Sequence, residues 1–410
     1  MSDTRFAVAG RRYPLSMATW LVTGGAGFIG ANFVRTVLAT AGPRVVVLDR
    51  LTYAGHLESL AGLEGSPRFE FLRGDVADRA DVEAAYRAAR PDAVFHFAAE
   101  THVDRSIDGP GEFLRTNVLG TQEMLEGARR RLETLGPAER ERFRFVHVST
   151  DEVYGSLGTT GRFTEGTAYA PRSPYAASKA AADHLALAWH ATFGVPVIVT
   201  NTSNNYGPYQ YPEKLIPLLV LSALNGRPLP VYGDGLHVRD WIHVSDHVEG
   251  LLAARASGRP GERYNLGAHA ERTNLEVVGA VCAALERRRP AAENPALRAR
   301  GVRSYRDLIT HVADRPGHDR RYALDASKAR RELGWSARVA FDVALDETVG
   351  WYVDHLPWCE AVAPDDAALE RRGLVPPPPP VTEPPLRPPT GSAPAGDAAS
   401  AAATGRRAGR

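Results

Sequence analysis

The sequence predicts an α/β protein in which a doubly wound parallel sheet is followed by a smaller C-terminal α/β lobe. Three features indicate this class. Short apolar runs alternate with helical patterns over the first half of the chain, the first run leads directly into a glycine-rich turn, and an aspartate closes the second run. Strands separated by helices of this length are joined by right-handed crossovers and therefore lie parallel in one sheet.

The strands of this sheet are predicted where a short apolar run is bounded by polar or glycine residues. They cover residues 20–23, 45–48, 69–72, 93–97, 145–148 and 197–199. After residue 205 the alternation is less regular, and helices are predicted over 273–286, 325–333 and 341–354. We therefore expect one domain over 18–205 and a mainly separate lobe over 206–358, some of whose strands can return to the first sheet.

The two ends of the chain differ from its middle. Residues 1–17 show no periodicity and are expected to be an extra N-terminal segment, with Met17 as an alternative start of translation. Residues 359–410 are rich in proline and alanine and include the run 376–380. Such a segment buries too little apolar surface to fold, so a disordered tail is expected, and a role in binding a partner stays open.

The composition is that of an ordinary soluble globular protein. The 410 residues include 49 Lys and Arg against 48 Asp and Glu, a net charge of +1, which favours no nucleic-acid partner. No apolar run is long enough to span a membrane, and the N-terminus lacks a signal-peptide core, so a cytoplasmic location is expected. Cys282 and Cys359 are too few for a disulfide framework or a thiolate metal cluster.

The first strand runs into a glycine-rich turn and then a helix, through Gly24, Gly25, Gly27 and Gly30. Glycines allow the sharp turn and the close approach of the backbone to a pyrophosphate, and the N-terminus of the following helix attracts its charge. This is the pattern of a Rossmann-type sheet that binds a dinucleotide. A tight turn in an unrelated α/β protein would be the alternative.

An acidic residue at the end of the second strand supports the dinucleotide interpretation. Asp49 follows Gly30 at the spacing expected for a carboxylate that accepts the ribose hydroxyls of an adenosine. A carboxylate there repels a 2′-phosphate, so NAD is favoured over NADP, although the neighbouring Arg50 points the other way. Residues after the third and fourth strands are expected to line the same crevice: Asp75, Val76, Phe97, Ala98 and Ala99.

Two further pairs of residues carry chemistry. Tyr175 and Lys179 stand four apart on a predicted helix, so the cation, together with a nicotinamide ring, is expected to lower the tyrosine pKa toward neutrality and make it a base. Asp151 and Glu152 follow the fifth strand at the end of the sheet where substrate would lie. A solvated surface pair and a capping turn are the respective alternatives. His96 and His147 are expected to be packed or hydrogen-bonded, and no metal site is predicted.

Taken together, these motifs resemble the extended short-chain dehydrogenase/reductase superfamily and, within it, the dTDP-glucose 4,6-dehydratase family. The resemblance covers about residues 18–355 and leaves out both ends. Besides Thr150, Asp151, Glu152, Tyr175 and Lys179, it rests on residues 24–30, 98–106, 116–117, 204–208, 214–217, 239–241 and 314–318.

The resemblance implies a reaction in which bound NAD takes the C4 hydride of dTDP-glucose, water is eliminated across C5 and C6, and the hydride returns to C6. It makes Tyr175 the base for the C4 hydroxyl, Glu152 the base at C5 and Asp151 the acid at C6. Lys179 holds the tyrosine and the nicotinamide ribose, and Thr150 bonds the C4 oxygen. Such enzymes begin the biosynthesis of deoxysugars.

The resemblance also implies the remaining contacts. The residues implied around NAD are Gly24, Gly27, Phe28, Ile29, Gly30, Asp49, Leu51, Thr52, Asp75, Val76, Phe97, Ala98, Ala99, Thr116, Tyr175, Lys179 and Asn205. Those implied around dTDP-glucose are Thr101, Thr150, Asn204, Lys214, Leu215, Pro230, Tyr232, Arg239, Asn265, Arg315 and His318, with the two arginines on the pyrophosphate.

The nearest rival is another nucleotide-sugar enzyme of the superfamily, a 4-epimerase or a uronate decarboxylase. These share the glycine turn, Asp49, Tyr175 and Lys179, but neither needs a pair like Asp151 and Glu152 for elimination. A non-catalytic NAD-binding regulator would not need the full set of catalytic residues. The resemblance further implies a homodimer that pairs the helices around 112–132 and 174–192.

Overall fold

The structure, a computed structural model, describes residues 18–364. Its strands are β1 Thr19–Thr23, β2 Arg44–Asp49, β3 Phe69–Arg73, β4 Ala93–His96, β5 Arg144–Thr150, β6 Val197–Thr202, β7 Asn204–Tyr206, β8 Leu229–Tyr232, β9 Val238–His243, β10 Arg263–Leu266, β11 Glu271–Thr273 and β12 Ile309–Val312.

Its helices are α1 Phe28–Ala39, α2 Arg79–Ala89, α3 Val103–Asp108, α4 Pro110–Phe113, α5 Gly120–Glu133, α6 Pro137–Arg142, α7 Pro174–Phe193, α8 Leu215–Leu224, α9 Val244–Ser257, α10 Asn274–Arg288, α11 Pro295–Arg298, α12 Ser327–Leu333, α13 Phe341–Asp354 and α14 Leu356–Val362. A π-helix over Leu114–Leu119 joins α4 to α5, and a 3₁₀ turn over Asp151–Tyr154 follows β5.

Seven parallel strands form the main sheet in the order β10-β6-β5-β4-β1-β2-β3. The predicted doubly wound parallel sheet is therefore confirmed. Strands β2 and β3 follow β1 on one side of it, and β4, β5, β6 and β10 follow one another on the other side. A crevice forms at the carboxyl ends of the strands at this reversal, and it is where ligands bind in sheets of this kind.

Both faces of the sheet are buried, as the continuous apolar runs of its strands require. In β2 the side chains of Val45 and Val47 enter one apolar core, and those of Val46 and Leu48 enter the other. Because successive side chains of a strand point to opposite faces, one short run supplies both cores. This explains why β2 reads as uninterrupted hydrophobic sequence.

The helix that carries Tyr175 and Lys179, α7, has clear signals at both ends. Ser173 accepts a hydrogen bond from the Ala176 N–H through its side chain at 3.0 Å, and Pro174 occupies the first helical position. Gly194 ends the helix with φ +69°, the left-handed conformation that glycine tolerates. The helix packs against β5 and β6.

The second lobe is built around its own apolar core. Helices α8, α10 and α13 pack together over β8 and β9, with Tyr206, Trp241 and Phe341 among the buried aromatic residues. Two small sheets, β11-β9-β7 and β12-β8, complete it. The lobe does not use all of 206–358, because β10 pairs with β6 in the main sheet and α9 packs over α1 and β5.

Most differences from the predicted elements lie at their ends. Strands β5 and β6 continue to Thr150 and Thr202, since polar residues at carboxyl ends still pair across the two strands. Phe97 lies beyond β4, and α12 begins at Ser327 because the Asp325 carboxylate accepts a hydrogen bond from the Ser327 N–H at 2.8 Å. The predicted helix over 341–354 has the bounds of α13.

The predicted tail begins too early. Helix α14 occupies Leu356–Val362, and Cys359 and Val362 within it are buried. Apolar residues spaced along this helix pack on the second lobe. The high proline content further along the chain hid this helix in the sequence. The rest of the predicted tail, like the N-terminal segment 1–17, lies outside the described residues. None of the helices within 18–364 is long and apolar enough to cross a membrane.

Candidate active site

The glycine turn between β1 and α1 forms one wall of a cleft at the carboxyl ends of the strands. Gly24 has φ +68°, and a methyl group there would overlap the backbone of Ala98. A methyl group at Gly30 would overlap the Gly24 carbonyl oxygen. The turn therefore needs glycine at both positions, and it presents bare backbone next to the N-terminus of α1, a surface suited to a pyrophosphate.

Asp49 lies at the end of β2, on the same side of the cleft. Its carboxylate accepts hydrogen bonds from the Ala26 N–H at 2.9 Å and the Leu51 N–H at 2.8 Å, and the left-handed Leu51, with φ 58°, directs the second of these. Burial raises the pKa of Asp49, although the two N–H groups oppose the shift. Leu51 thus orients the Asp49 carboxylate through its backbone N–H, whereas Thr52 lines the cleft itself.

Arg50, the feature that favoured NADP, is engaged by carboxylates. Its guanidinium lies 3.0 Å from Asp75 and 3.6 Å from Glu100. Arg115 also contacts Asp75, at 2.7 Å. A 2′-phosphate beside Asp49 would have to compete with these acidic groups for Arg50, so the surroundings favour a ribose with free hydroxyls.

The other residues implied around NAD also meet at this cleft. Val76, Phe97, Ala98, Ala99, Thr116 and Asn205 all line it. Thr116 belongs to the π-helix, a rare distortion often found at functional sites. Next to it, Asn117 accepts from the Glu100 N–H at 2.8 Å and donates to the Ser178 hydroxyl at 2.8 Å, which ties the loop after β4 to α7.

Tyr175 and Lys179 both line the cleft from α7. The Lys179 ammonium is buried and donates to the Val148 carbonyl oxygen at 2.8 Å. Burial lowers the pKa of Lys179 to about 8, partly offset by the charge of Asp183.

The expected lowering of the tyrosine pKa is wrong for the protein's own groups. Burial first, and then the charge of Glu152, raise the pKa of Tyr175, and hydrogen bonding with Thr150 offsets only part of this. The four-residue spacing correctly brings Lys179 close, but it says nothing about burial or about a carboxylate facing the phenol. A positive nicotinamide ring is needed to favour the phenolate.

Thr150, Asp151 and Glu152 stand at the end of β5, opposite α7. The Thr150 hydroxyl oxygen accepts from the Glu152 N–H at 3.2 Å and donates to the Asp151 carboxylate at 3.3 Å. The capping turn considered as an alternative is therefore real, but it is made by Thr150. It leaves both carboxyl groups on the cleft.

The two carboxyl groups have different surroundings. Burial, then the charges of Glu152 and Asp240, raise the pKa of Asp151 well above its usual range. Burial also raises the pKa of Glu152, but the charges of Arg315 and Arg239 oppose the shift. Asp151 is thus the carboxyl group that is favoured more strongly in its protonated form, a difference suited to paired acid and base chemistry.

The two arginines come from the second lobe. Arg239 donates to the carbonyl oxygens of Val238 and Asp319 at 2.8 and 2.9 Å and stacks on Tyr322, with its Cζ 4.2 Å from the ring centroid. Arg315 lies 3.3 Å from the Asp104 carboxylate. Both are held in position by these contacts, so their charges act on Glu152 and on any anion beside it.

Four other residues implied around the substrate gather at the same side. Thr101, Asn204 and Lys214 line the cleft, and the Lys214 ammonium donates to the Thr101 carbonyl oxygen at 3.1 Å. Tyr232 donates to Asp104 at 3.0 Å, beside Arg315. Leu215 begins α8 and packs on the second core, and Pro230 lies in β8 paired with Thr310 of β12.

The structure contradicts the substrate-binding role expected for Asn265. It lies fully buried in β10, where its side chain accepts from the Tyr154 hydroxyl at 2.9 Å and donates to the Phe163 carbonyl oxygen at 3.0 Å. These internal bonds occupy the amide, and they follow from the return of β10 to the main sheet. The sequence motif did not reveal that pairing, so Asn265 is better described as a structural residue.

The histidines near the site bond to neighbouring side chains. His96 lies between the hydroxyls of Thr23 and Thr121, at 2.7 and 3.0 Å, as the expectation of a hydrogen-bonded residue requires. His318 and His237 stack with ring centroids 3.7 Å apart and both contact Asp314, at 2.6 and 3.2 Å. Stacked rings cannot direct their nitrogen lone pairs at one ion, and the charges of two arginines act on His318, so this trio does not make a convincing metal site.

Several residues that line the cleft were not predicted as site residues: Gly55, Glu100, Ser149, Ser203, Gln210 and Tyr211. Tyr211 contacts Tyr53 and His56 in the loop after Asp49, with ring centroids 5.7 and 5.5 Å away. These contacts join loops distant in the sequence, so no local motif signals them.

Comparisons with known proteins agree with this geometry. Residues 21–348 match the family model described as GDP-mannose 4,6 dehydratase. A dTDP-glucose 4,6-dehydratase of Xanthomonas campestris pv. campestris is 55% identical over 87% of this chain and 99% of its own length. One of Neisseria meningitidis serogroup B is 53% identical over 86% and 98% of the two chains.

Solved structures extend the agreement. DesIV, a dTDP-glucose 4,6-dehydratase from Streptomyces venezuelae crystallised with NAD and TYD bound, is 45% identical with a TM-score of 0.75, covering 84% of this chain and 99% of that one. A UDP-glucose 4-epimerase of Thermus thermophilus in complex with NAD is 30% identical with a TM-score of 0.70, over 82% and 99%. The chain therefore belongs to the dTDP-glucose 4,6-dehydratase family of the extended short-chain dehydrogenases/reductases.

Proposed function

We propose that the protein is an NAD-dependent hydro-lyase that converts dTDP-glucose to dTDP-4-keto-6-deoxyglucose and water. The observation that carries this proposal is the adjacent pair Asp151 and Glu152, of which Asp151 has the more strongly raised pKa, in one cleft with Tyr175 and Lys179. An oxidation at C4 alone needs only the tyrosine and the lysine. Elimination of water also needs a positioned acid and a positioned base.

NAD fits the first half of the cleft. The bare glycine turn would hold its pyrophosphate, and Asp49, already oriented by two backbone N–H groups, would accept hydrogen bonds from the ribose hydroxyls. When bound, NAD supplies a temporary store for the hydride that leaves C4 and returns to C6. The protein's own residues handle the protons.

Tyr175 removes the proton of the C4 hydroxyl through its phenolic oxygen. Its pKa in the protein alone is raised by burial and by the charge of Glu152, and hydrogen bonding with Thr150 opposes part of this rise. The charge of a positive nicotinamide ring would favour the phenolate further. Thr150, at the end of β5, holds the C4 oxygen in line with Tyr175. The resulting 4-ketone acidifies the neighbouring C5–H bond.

Glu152 then takes the C5 proton on its carboxylate, and Asp151 gives its proton to the departing C6 hydroxyl, which leaves as water. Burial raises the pKa of Asp151 well above its usual range, which favours its acid form for this step, and the charges of Arg315 and Arg239 oppose the rise that burial causes in the pKa of Glu152. After hydride return to C6, Glu152 gives a proton back to C5. Glu152 thus ends the cycle unchanged, and the proton that Tyr175 took from the C4 hydroxyl replaces the one that Asp151 gave to water, so the enzyme returns to its starting state.

The diphosphate of the substrate is assigned to Arg239 and Arg315, whose guanidinium groups match phosphate oxygens and are anchored beside the cleft. Lys214, Thr101 and Asn204 complete the sugar side. A 4-epimerase remains the second candidate because a relative of that activity shares the fold at 30% identity.

The two candidates are separated by the product made from dTDP-glucose by the purified protein. The proposal predicts a 4-keto-6-deoxy sugar nucleotide, which strong alkali converts to a strongly ultraviolet-absorbing species, with no net use of NAD. Formation of dTDP-galactose would instead identify an epimerase and refute the proposal.

We also propose that the protein is a homodimer that acts in the cytoplasm. Leu114 and Leu119 are 54% and 53% exposed on the π-helix, and Ile107 is 40% exposed on α3. These residues lie within or just before the region around 112–132 that the family resemblance pairs in a homodimer, and large exposed apolar side chains are common at protein interfaces. The cytoplasmic part follows from the proposed substrate and cofactor, because nucleotide sugars and NAD are cytoplasmic metabolites.

A further inference from the structure

A fully buried carboxylate, Asp183, lies beneath the active site without a part in the mechanism above. It occupies α7 four residues after Lys179 and eight after Tyr175, so all three lie along one stripe of the helix. Asp183 has no solvent exposure. A buried carboxylate destabilises a protein strongly unless partners satisfy it, so its surroundings show what it does.

Three neighbours surround the Asp183 carboxylate. The Tyr169 hydroxyl donates to Oδ2 at 2.7 Å, the Asn201 amide donates to the same oxygen at 3.1 Å, and His147 Nε2 lies 3.2 Å from Oδ1. Burial raises the pKa of Asp183, but the His147 contact, the Lys179 charge and the Tyr169 hydrogen bond outweigh it and lower the pKa overall. Asp183 is therefore held as an anion.

The other groups around Asp183 do not replace it as a counter-charge for Lys179. Burial and the Lys179 charge lower the pKa of His147, and burial and His147 lower that of His96, so both rings are neutral at neutral pH. Arg263, on the far side of Tyr169, adds positive charge, with its Cζ 4.9 Å from that ring. On the cleft side, the charges of Glu152 and Asp151 act on Tyr175.

Lys179 does not bond to Asp183 but donates to the Val148 carbonyl oxygen. The Asp183 carboxylate beneath the active site thus balances the charge of the Lys179 ammonium without a direct hydrogen bond. The remaining N–H groups of Lys179 stay available to the cleft. Burial lowers its pKa to about 8, and the charge of Asp183 is what opposes this.

The Asn201 amide extends the contact to the other half of the site. The same nitrogen that donates to Asp183 also lies 3.1 Å from the Thr150 carbonyl oxygen. Thr150 begins the turn that presents Asp151 and Glu152. Asp183 is therefore coupled to Lys179 of α7 by charge. It is coupled to the turn after β5 through the hydrogen bonds of the Asn201 amide.

We propose that Asp183 is a positioning residue that keeps Lys179 charged and, through Asn201, fixes the turn carrying Asp151 and Glu152. Its importance for catalysis rests on the proposed function, whereas its action on Lys179 does not. It does not touch substrate or cofactor. A purely structural role would require the hydrogen bonds of the carboxylate but not its charge, and this difference makes the proposal testable.

The chain is unusually convenient for the test because its lysines are only Lys179, Lys214 and Lys328. The holoenzyme labelled with ¹³C at the lysine ε-carbon gives three signals, assigned by single Lys→Arg variants. The test follows each signal against pH in the wild type and in Asp183→Asn, which keeps the shape and an acceptor for Tyr169. We expect Lys179 to titrate at least about one pH unit lower in the variant, with Lys328 unchanged.

Two control variants separate charge from hydrogen bonding. Tyr169→Phe removes a hydrogen bond to Asp183 but leaves its charge, and Asp183→Glu retains the charge, so both are expected to leave Lys179 titrating near the wild-type pH. In dehydration assays, Asp183→Asn should move the alkaline limb of the kcat profile to lower pH with KM for dTDP-glucose little changed. An unchanged Lys179 titration in Asp183→Asn, or an equal shift in Tyr169→Phe, would overturn the proposal.

If Asp183→Asn does not fold, Lys179→Met combined with Asp183→Asn decides the matter. Recovery of folding in the double variant supports the coupling of the two charges, and continued misfolding shows that the carboxylate serves packing alone. The titration needs no turnover, so a wild-type protein inactive on dTDP-glucose would refute the proposed function and leave the Asp183 result to stand separately.

Discussion

The proposed mechanism gives different roles to two neighbouring buried carboxyl groups at the end of β5, and the charges around them differ in part. Those of Glu152 and Asp240 add to burial in raising the pKa of Asp151, whereas those of Arg315 and Arg239 oppose the effect of burial on the pKa of Glu152. The pKa of Asp151 is therefore the more strongly raised of the two. Two substitutions test this division.

The first substitution is Glu152→Gln, which keeps the shape of the side chain and removes the base. We expect kcat for dehydration of dTDP-glucose to fall at least about 100-fold, since a positioned base commonly contributes that much. NAD content and thermal stability should stay at wild-type values. Glu141→Gln, on the exposed surface, is the matched control. Activity within a few-fold of wild type would show that Glu152 is not the base.

The second substitution is Asp151→Asn, examined by thermal unfolding at two pH values. The folded protein raises the pKa of Asp151 above its ordinary value of 3.8, so the stability associated with this group is present at low pH and is lost as pH rises toward the folded pKa. Asparagine does not ionise. We therefore expect the variant to melt at a higher temperature than wild type at pH 8, with the difference shrinking toward pH 4.

The control for that measurement is Asp354→Asn on the exposed end of α13, which should change the melting temperature little at either pH. A difference between Asp151→Asn and wild type that is the same at both pH values would mean that Asp151 is not held protonated by its surroundings.

Individual side chains were predicted well where a local motif fixes them and poorly where burial decides. The spacing of Tyr175 and Lys179 and the position of Asp49 place all three on the cleft. The place of Asn265 was wrong, and the protein's own groups raise the Tyr175 pKa, because both depend on segments far away in the sequence. Burial among such segments leaves no signal in a short motif.

Among the elements, the turn between β1 and α1 is the part on which NAD binding depends most directly. Gly30→Ala would place a methyl group against the Gly24 carbonyl oxygen, which is backbone and cannot rotate away. We expect the variant to lose bound NAD and to be destabilised by about 1–3 kcal/mol, the usual effect of overpacking. NAD released on denaturation and the unfolding midpoint measure the two effects.

Gly65→Ala serves as the matched control because a methyl group there meets no atom within 4 Å. It should retain NAD and unfold near the wild-type midpoint. If Gly30→Ala behaved like this control, the glycine turn would not be the tight contact that the structure describes.

Strands and helices, like single side chains, were predicted where the local sequence decides and missed where distant segments decide. The parallel strands were recognisable because apolar runs buried on both faces need no neighbour to identify them. Strand β10 and helix α14 were not, since β10 returns to the main sheet after a long excursion and α14 precedes a proline-rich segment. Their places depend on which surface remains uncovered once the rest of the chain has folded.

For the molecule as a whole, the assembly state is the property most open to test. Glutamate at Leu114 and at Leu119 would place charge in the proposed interface, and we expect the double variant to be a monomer by size-exclusion chromatography with light scattering. Val343→Glu changes a residue that is 61% exposed on α13 and should leave a dimer. A wild-type monomer, or a dimer that survives both leucine substitutions, would contradict the proposed interface.

Elimination of water across C5 and C6 is the central step of the proposed mechanism, and the mass of the product formed from dTDP-glucose in deuterated water tests it directly. The proposed mechanism predicts a product that has lost one water and carries one carbon-bound deuterium at C5, because the proton that Glu152 returns has exchanged with solvent. A product of unchanged mass, or loss of water without deuterium at C5, would contradict the mechanism proposed for Asp151 and Glu152.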